Sequence, residues 1–63
     1  MINRLPKGTK YYHLDIDLEV IGWYEAGDKV DEDCFKAGNY FVTKQQAEKA
    51  GNAIKLLLNK YAS

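Results

Sequence analysis

The side chains able to do covalent chemistry are few. The single serine, Ser63, stands at the chain end, where fraying is expected, so serine catalysis has no base within reach. Cys34 and His13 are each the only residue of their type. A thiolate–imidazole pair also needs oxyanion donors from a glycine-rich loop or a helix N-terminus, and the sequence around Cys34 offers neither. Cys34 therefore reads as a small apolar filler or an idle loop thiol. Asp15-Ile16-Asp17-Leu18-Glu19 spaces three carboxylates by two, like the first ligands of a calcium loop, but Val20 stands where that loop needs glycine and Ala26 where it needs a bidentate glutamate. On a strand the same spacing puts three acids on one solvent face, with a weak divalent-cation site as the alternative. The five glycines never cluster into a phosphate cradle. These residues predict no enzyme, no catalytic or metal-ligating set and no cofactor.

Binding chemistry is better represented. Tyr11-Tyr12 and Trp23-Tyr24 are adjacent aromatics, and on strands one member of each pair must face away from whatever the other packs against. Net charge is zero, yet residues 1–10 carry +3, residues 11–35 carry −7 and residues 36–63 carry +4. An acidic middle bearing outward aromatics suits a protein interface, to another chain or to a second copy, and the candidate partner-binding residues are Tyr11, Tyr24, Glu25, Asp28, Asp31, Glu32 and Asp33. The competing reading is a nucleic-acid binder using Tyr11, Tyr24 and the lysines at 7, 10, 55 and 60. It suffers from the acidity of the strand region, since strand-binding grooves are positive.

The elements that must position these residues follow from periodicity. Lys10 to Glu25 alternates, with Tyr12, Leu14, Ile16, Leu18 and Val20 on one parity, and predicts a hairpin over 10–25 broken near Asp15–Leu18. No glycine or asparagine marks the turn, so one long bent strand is the alternative. Residues 26–37 combine glycine with acids and read as an acidic surface loop; 38–42 read as a Gly38-Asn39 turn and a short third strand. Thr43 with Gln46 forms a capping box for a helix over 43–61, whose apolar positions Ala47, Ala50, Ile54, Leu57, Leu58 and Tyr61 keep to one face. Gly51 inside that face implies close approach of a bulky group, for which Trp23 is the candidate. Residues 1–9 read as a flexible N-terminal arm. The prediction is an α+β fold: a small antiparallel three-stranded sheet, made of a β-hairpin and a short third strand, packed against one C-terminal α-helix that leaves the reverse sheet face open.

At 63 residues, 46% hydrophobic and 29% charged, the composition is that of one small globular domain. A chain this short buries about 60% of its unfolded surface, so its stability is marginal and association would help it. One cysteine excludes an internal disulfide, and no run approaches the ~20 apolar residues that cross a bilayer, so a cytoplasmic protein with no membrane contact is expected.

Trp23, the acidic stretch after it and the run Gly38-Asn39-Tyr40-Phe41-Val42-Thr43-Lys44-Gln45-Gln46-Ala47-Glu48 resemble a signature of small phage and prophage proteins of unknown function: a strand-borne Trp, an acidic linker, then Gly-Asn-Tyr-Phe-x-Thr and a helix with Ala-Glu near its start. The resemblance spans about 40 of the 63 residues and departs at Gln45-Gln46, where acids are frequent. It implies a phage-related accessory protein of a bacterial host cytoplasm and a small α+β fold, and it carries over no catalytic residue. Inhibition of a host or defence protein is the sharper form of that expectation, and a purely structural homo-oligomer is a third reading.

Overall fold

The computed structural model describes residues 3–62. Its elements are β1 (Lys10–Leu14), β2 (Val20–Tyr24), α1 (Lys29–Lys36) and α2 (Lys44–Ala62). Among the described residues the sheet has two strands, not three, and there are two helices, not one.

The strands pair antiparallel with Lys10 opposite Tyr24 and Leu14 opposite Val20, so the hairpin reading holds over the long-strand alternative. Its turn is made without glycine. Leu18 takes the left-handed conformation at φ 64°, while Asp15 accepts hydrogen bonds on Oδ1 from the backbone N–H groups of Asp17 and Glu19, both at 2.9 Å. A short acidic side chain binding the backbone ahead of it is a recognised turn device, and it compensates for an unfavourable φ at Leu18.

Residues 26–37, read as a loop, hold α1. The acids that suggested a solvated loop instead build a helix. Asp28 and Asp31 form a reciprocal capping box, and Lys29–Asp33 (3.5 Å) and Glu32–Lys36 (2.9 Å) pair one turn apart. Gly38 at φ 78° ends it: its N–H reaches the Phe35 carbonyl and the Asn39 N–H reaches that of Cys34, the paired bonds of a Schellman stop. The Gly38-Asn39 pair thus terminates a helix rather than turning into a strand. Only one rung of the expected third strand forms, the Tyr12–Phe41 bridge. The next rung is supplied by a side chain, because the Asn39 amide both accepts from the Leu14 N–H and donates to the Leu14 carbonyl, each at 2.7 Å. With α2 starting at Lys44, no length remains for a strand.

Alternation puts Tyr11, His13, Ile21 and Trp23 on one sheet face and Lys10, Tyr12, Leu14, Val20, Gly22 and Tyr24 on the other. Tyr11 is fully buried, stacked on Tyr40 at 4.3 Å, with Phe35 of α1 edge-on to Tyr40. The face expected to stay open is therefore covered at its Tyr11 end by the segment containing α1. Leu14 packs against α2. There a side chain at Gly51 would meet the Leu18 carbonyl and Leu14, not Trp23, which lies on the other face and is 47% exposed. Thr43 Oγ1 accepts from the Gln46 N–H at 3.1 Å, the first of the two bonds of the expected capping box.

Because the turn holding the Leu18 carbonyl is pinned by Asp15, the carbonyl cannot retreat from an added methyl. Gly51→Ala is therefore expected to forgo the usual helix gain of about 1 kcal/mol and to destabilise by roughly 1 kcal/mol. Urea denaturation followed by circular dichroism checks the sign.

The apolar stripe of α2 is buried only in its first half. Ala47 and Gly51 are buried, whereas Leu57, Leu58 and Tyr61 are each more than half exposed. The second half of the helix projects from the body, and the molecule measures 41 × 21 × 20 Å.

Candidate functional site

The residues singled out from sequence separate into two groups. Tyr11, Glu25 and Asp31 are buried and face inward, which overturns the expectation that Tyr11 is an outward aromatic. Asp31 accepts on Oδ1 from the Tyr11 hydroxyl at 2.6 Å and on Oδ2 from the Ala26 N–H at 2.7 Å. Burial alone would raise its pKa, but the hydrogen bonds from Tyr11, Ala26 and Asp28 override that and hold it well below the usual carboxylate range. Burial and the bond to Asp31 raise the Tyr11 phenol, so it stays a neutral donor.

Glu25 is fastened by both carboxylate oxygens. Arg4 donates through Nε to Oε1 at 2.9 Å and through Nη2 to Oε2 at 3.2 Å; Tyr40 donates to Oε1 at 2.8 Å and the Gly27 N–H to Oε2 at 2.9 Å. The Arg4 bonds are the largest cause of its lowered pKa, opposed by burial and aided by Gly27 and Tyr40. Of the N-terminal segment read as a flexible arm, residues 1 and 2 lie outside the described residues, and the rest is tied down at Arg4 and again at Leu5, whose N–H donates to the Tyr40 hydroxyl at 3.0 Å. Two carboxylates counted toward an acidic surface are interior struts. Glu32 and Asp33 are paired with lysines on α1, so the −7 segment does not present a continuous negative face.

The second group stays accessible: Tyr24, Asp28, Glu32 and Asp33. Tyr24 is 61% exposed and belongs to a surface that sequence reasoning assembled only in part. Tyr12 spends its outward N–H and C=O on Phe41, so Gly22, directly opposite across the hairpin, aims its own groups outward from β2, and Tyr24 does so by the same alternation. Among the described residues no backbone hydrogen bond links Gly22 or Tyr24 to a third strand. An open cleft of about 430 Å³ lies along this edge, lined by Gly22, Trp23, Tyr24, Ala26 and Asp28. Lys10, on the same sheet face as Tyr12 and Tyr24, holds Nζ 5.5 Å from the Tyr12 ring centre and 5.9 Å from that of Tyr24. Gly22 makes room for the Lys10 stem. Trp23, expected to pack at Gly51, is instead half exposed beside this edge, because the face it takes depends on strand register.

The rest of the chemistry is quiet. Among the described residues no three His, Cys, Asp or Glu side chains converge as a metal site, and Asp15 gives its carboxylate to the turn. Burial, with the charges of Asp31 and Asp33, pushes the Cys34 thiol up despite its contact with Tyr11, so it is held as the unreactive thiol. No helix of the described residues is long and apolar enough to cross a membrane. No protein-family model, curated protein or solved structure matches this chain.

Proposed function

We propose that this is a non-enzymatic binding module that captures an extended segment of a protein partner on the outer edge of β2. The observation that carries the reading is the unpaired Gly22–Tyr24 edge with Trp23 and Tyr24 exposed beside it. Unpaired edges are normally blunted by proline, inward charge or a covering element, because they recruit other strands. Here the edge carries no side chain at Gly22 and is flanked by two large, exposed aromatics. In strand addition the main-chain bonds supply affinity and alternate side-chain pockets supply selectivity. Asp28 at the rim of the cleft favours a basic side chain on the added segment.

The nucleic-acid reading has less support. Tyr11 is buried and cannot stack a base, and Lys55 lies beside Glu19 and Val20 near the hairpin turn while Lys10 sits at the opposite end of the sheet. Competition for a host protein's nucleic-acid site would need the continuous acidic surface that α1 pairing and burial remove.

Selection from a random peptide library, followed by amide mapping, tests the proposal. Bound peptides are expected to slow hydrogen exchange at Gly22 and Tyr24, and Trp23→Ala should weaken binding at least tenfold with the fold intact, a typical anchor loss. Selected peptides that leave those amides unprotected, or single-stranded DNA that shifts the same resonances where peptides do not, would overturn it.

A further inference from the structure

The second half of α2 poses a separate problem, since it exposes what its first half buries. Ala47, Ala50, Ile54, Leu57 and Tyr61 repeat at alternating intervals of three and four, the spacing of a helix–helix seam, with Leu58 beside them. Ile54, Leu57, Leu58 and Tyr61 are 38%, 54%, 56% and 78% exposed. The seam is continuous with an apolar cleft of about 220 Å³, whose lining includes Leu14, Leu18, Phe41 and Ile54.

We infer that this face is covered by a second copy of the chain, the two α2 helices packing antiparallel around a two-fold axis between Leu57 and Leu58. Three observations choose this occupant.

The first is area. A compact chain of 7.2 kDa exposes about 4,100 Å² by the usual scaling, whereas this one exposes 4767 Å². The excess of roughly 600 Å² is most of the ~800 Å² that each partner gives to a standard interface.

The second is shape. The radius of gyration is 12.3 Å, against about 10.6 Å for a compact domain of this length, because one helix end projects.

The third is charge. After Glu48 every charged residue of α2 is a lysine, at 49, 55 and 60, while the hairpin tip docked at Gly51 carries Asp15, Asp17 and Glu19. An axis at the middle of the exposed stripe sets Tyr61 of each copy opposite Ile54 of the other. It brings the lysine-bearing end of each helix beside the other copy's acidic tip, and it lets Tyr61 enter the Leu14–Leu18–Phe41 cleft. A parallel pair would instead set Tyr61 opposite Tyr61, about 10 Å along the axis from the cleft beside Ile54. An anionic bilayer would face the same acidic tip, which disfavours it as the occupant. This surface lies apart from the β2 edge, so the fate of either proposal leaves the other standing.

Sedimentation equilibrium of the full chain is expected to report a dimer at tens of micromolar. Leu58→Glu should shift it to monomer while keeping helical circular dichroism, because that side chain is more than half exposed within one copy. In a Cys34→Ser background, oxidised Leu57→Cys should form an interchain disulfide and Tyr61→Cys should not, since antiparallel partners hold the two Tyr61 positions about 10 Å apart along the axis. A monomer at 100 µM overturns the inference, as does a dimer indifferent to Leu58→Glu, a disulfide through Tyr61→Cys, or binding to phosphatidylserine vesicles by a chain that stays monomeric.

Discussion

Asp31→Ala is expected to leave the chain largely unfolded at neutral pH. The substitution strands the buried Tyr11 hydroxyl, takes its partner from the part-buried Ala26 N–H, and removes half of the capping box that starts α1. An unsatisfied buried donor costs about 1–3 kcal/mol, so the total is roughly 3–5 kcal/mol including the cap. A domain of this length has only about 3–9 kcal/mol in all. Two comparisons separate this from a general intolerance of change. Tyr11→Phe removes one donor and leaves the carboxylate its backbone bonds, so it should cost about 1–2 kcal/mol. Asp33→Ala removes only an exposed pair with Lys29 and should be within 0.5 kcal/mol of the parent. Thermal and urea melts give the ranking, and equal losses at 31 and 33 would contradict it.

The contrast between Asp31 and Asp33 also shows where the sequence was legible. The helix from Lys44 was readable because Thr43 and a 3–4 apolar rhythm act locally, and the hairpin because alternation is local too. The acidic segment was misread because the same residues that solvate a loop also cap and lace a helix. Lys29, Asp33, Glu32 and Lys36 are correctly spaced for this, but eight residues with few apolar side chains give weak periodicity. The candidate site suffered from a different gap. Type and alternation identified Tyr24, whereas Trp23 was expected to pack at Gly51, and which carboxylates face inward depends on Arg4, Tyr11 and Tyr40 arriving from distant positions in the chain, contacts that belong to tertiary structure. Asn39 completing a sheet rung with its side chain has no sequence signature beyond the residue type.

The buried carboxylates also set how the protein responds to acid. Asp31 and Glu25 both have folded-state pKa values lowered below their ordinary ones, so the folded chain binds fewer protons than the unfolded chain in the acid range. Their contribution is fully present above the unfolded carboxylate values near 4 and is lost as pH falls through the lower folded values. Stability should therefore be flat from about pH 7 to 5 and fall steeply below about pH 4, where protonation of Glu25 weakens its hold on Arg4 and releases the N-terminal segment. Glu25→Gln keeps the shape of the side chain but exchanges one acceptor oxygen for a donor that opposes either Arg4 Nε and Tyr40 or Arg4 Nη2 and the Gly27 N–H. It should lower stability at pH 7 by about 2 kcal/mol and flatten the acid limb, because one of the two titrating struts is gone. Urea midpoints measured from pH 7 to 2 on both proteins test this. A parent profile that does not fall in acid, or a Glu25→Gln profile parallel to it, would show that the fold is held by its aromatic stack and not by these two carboxylates.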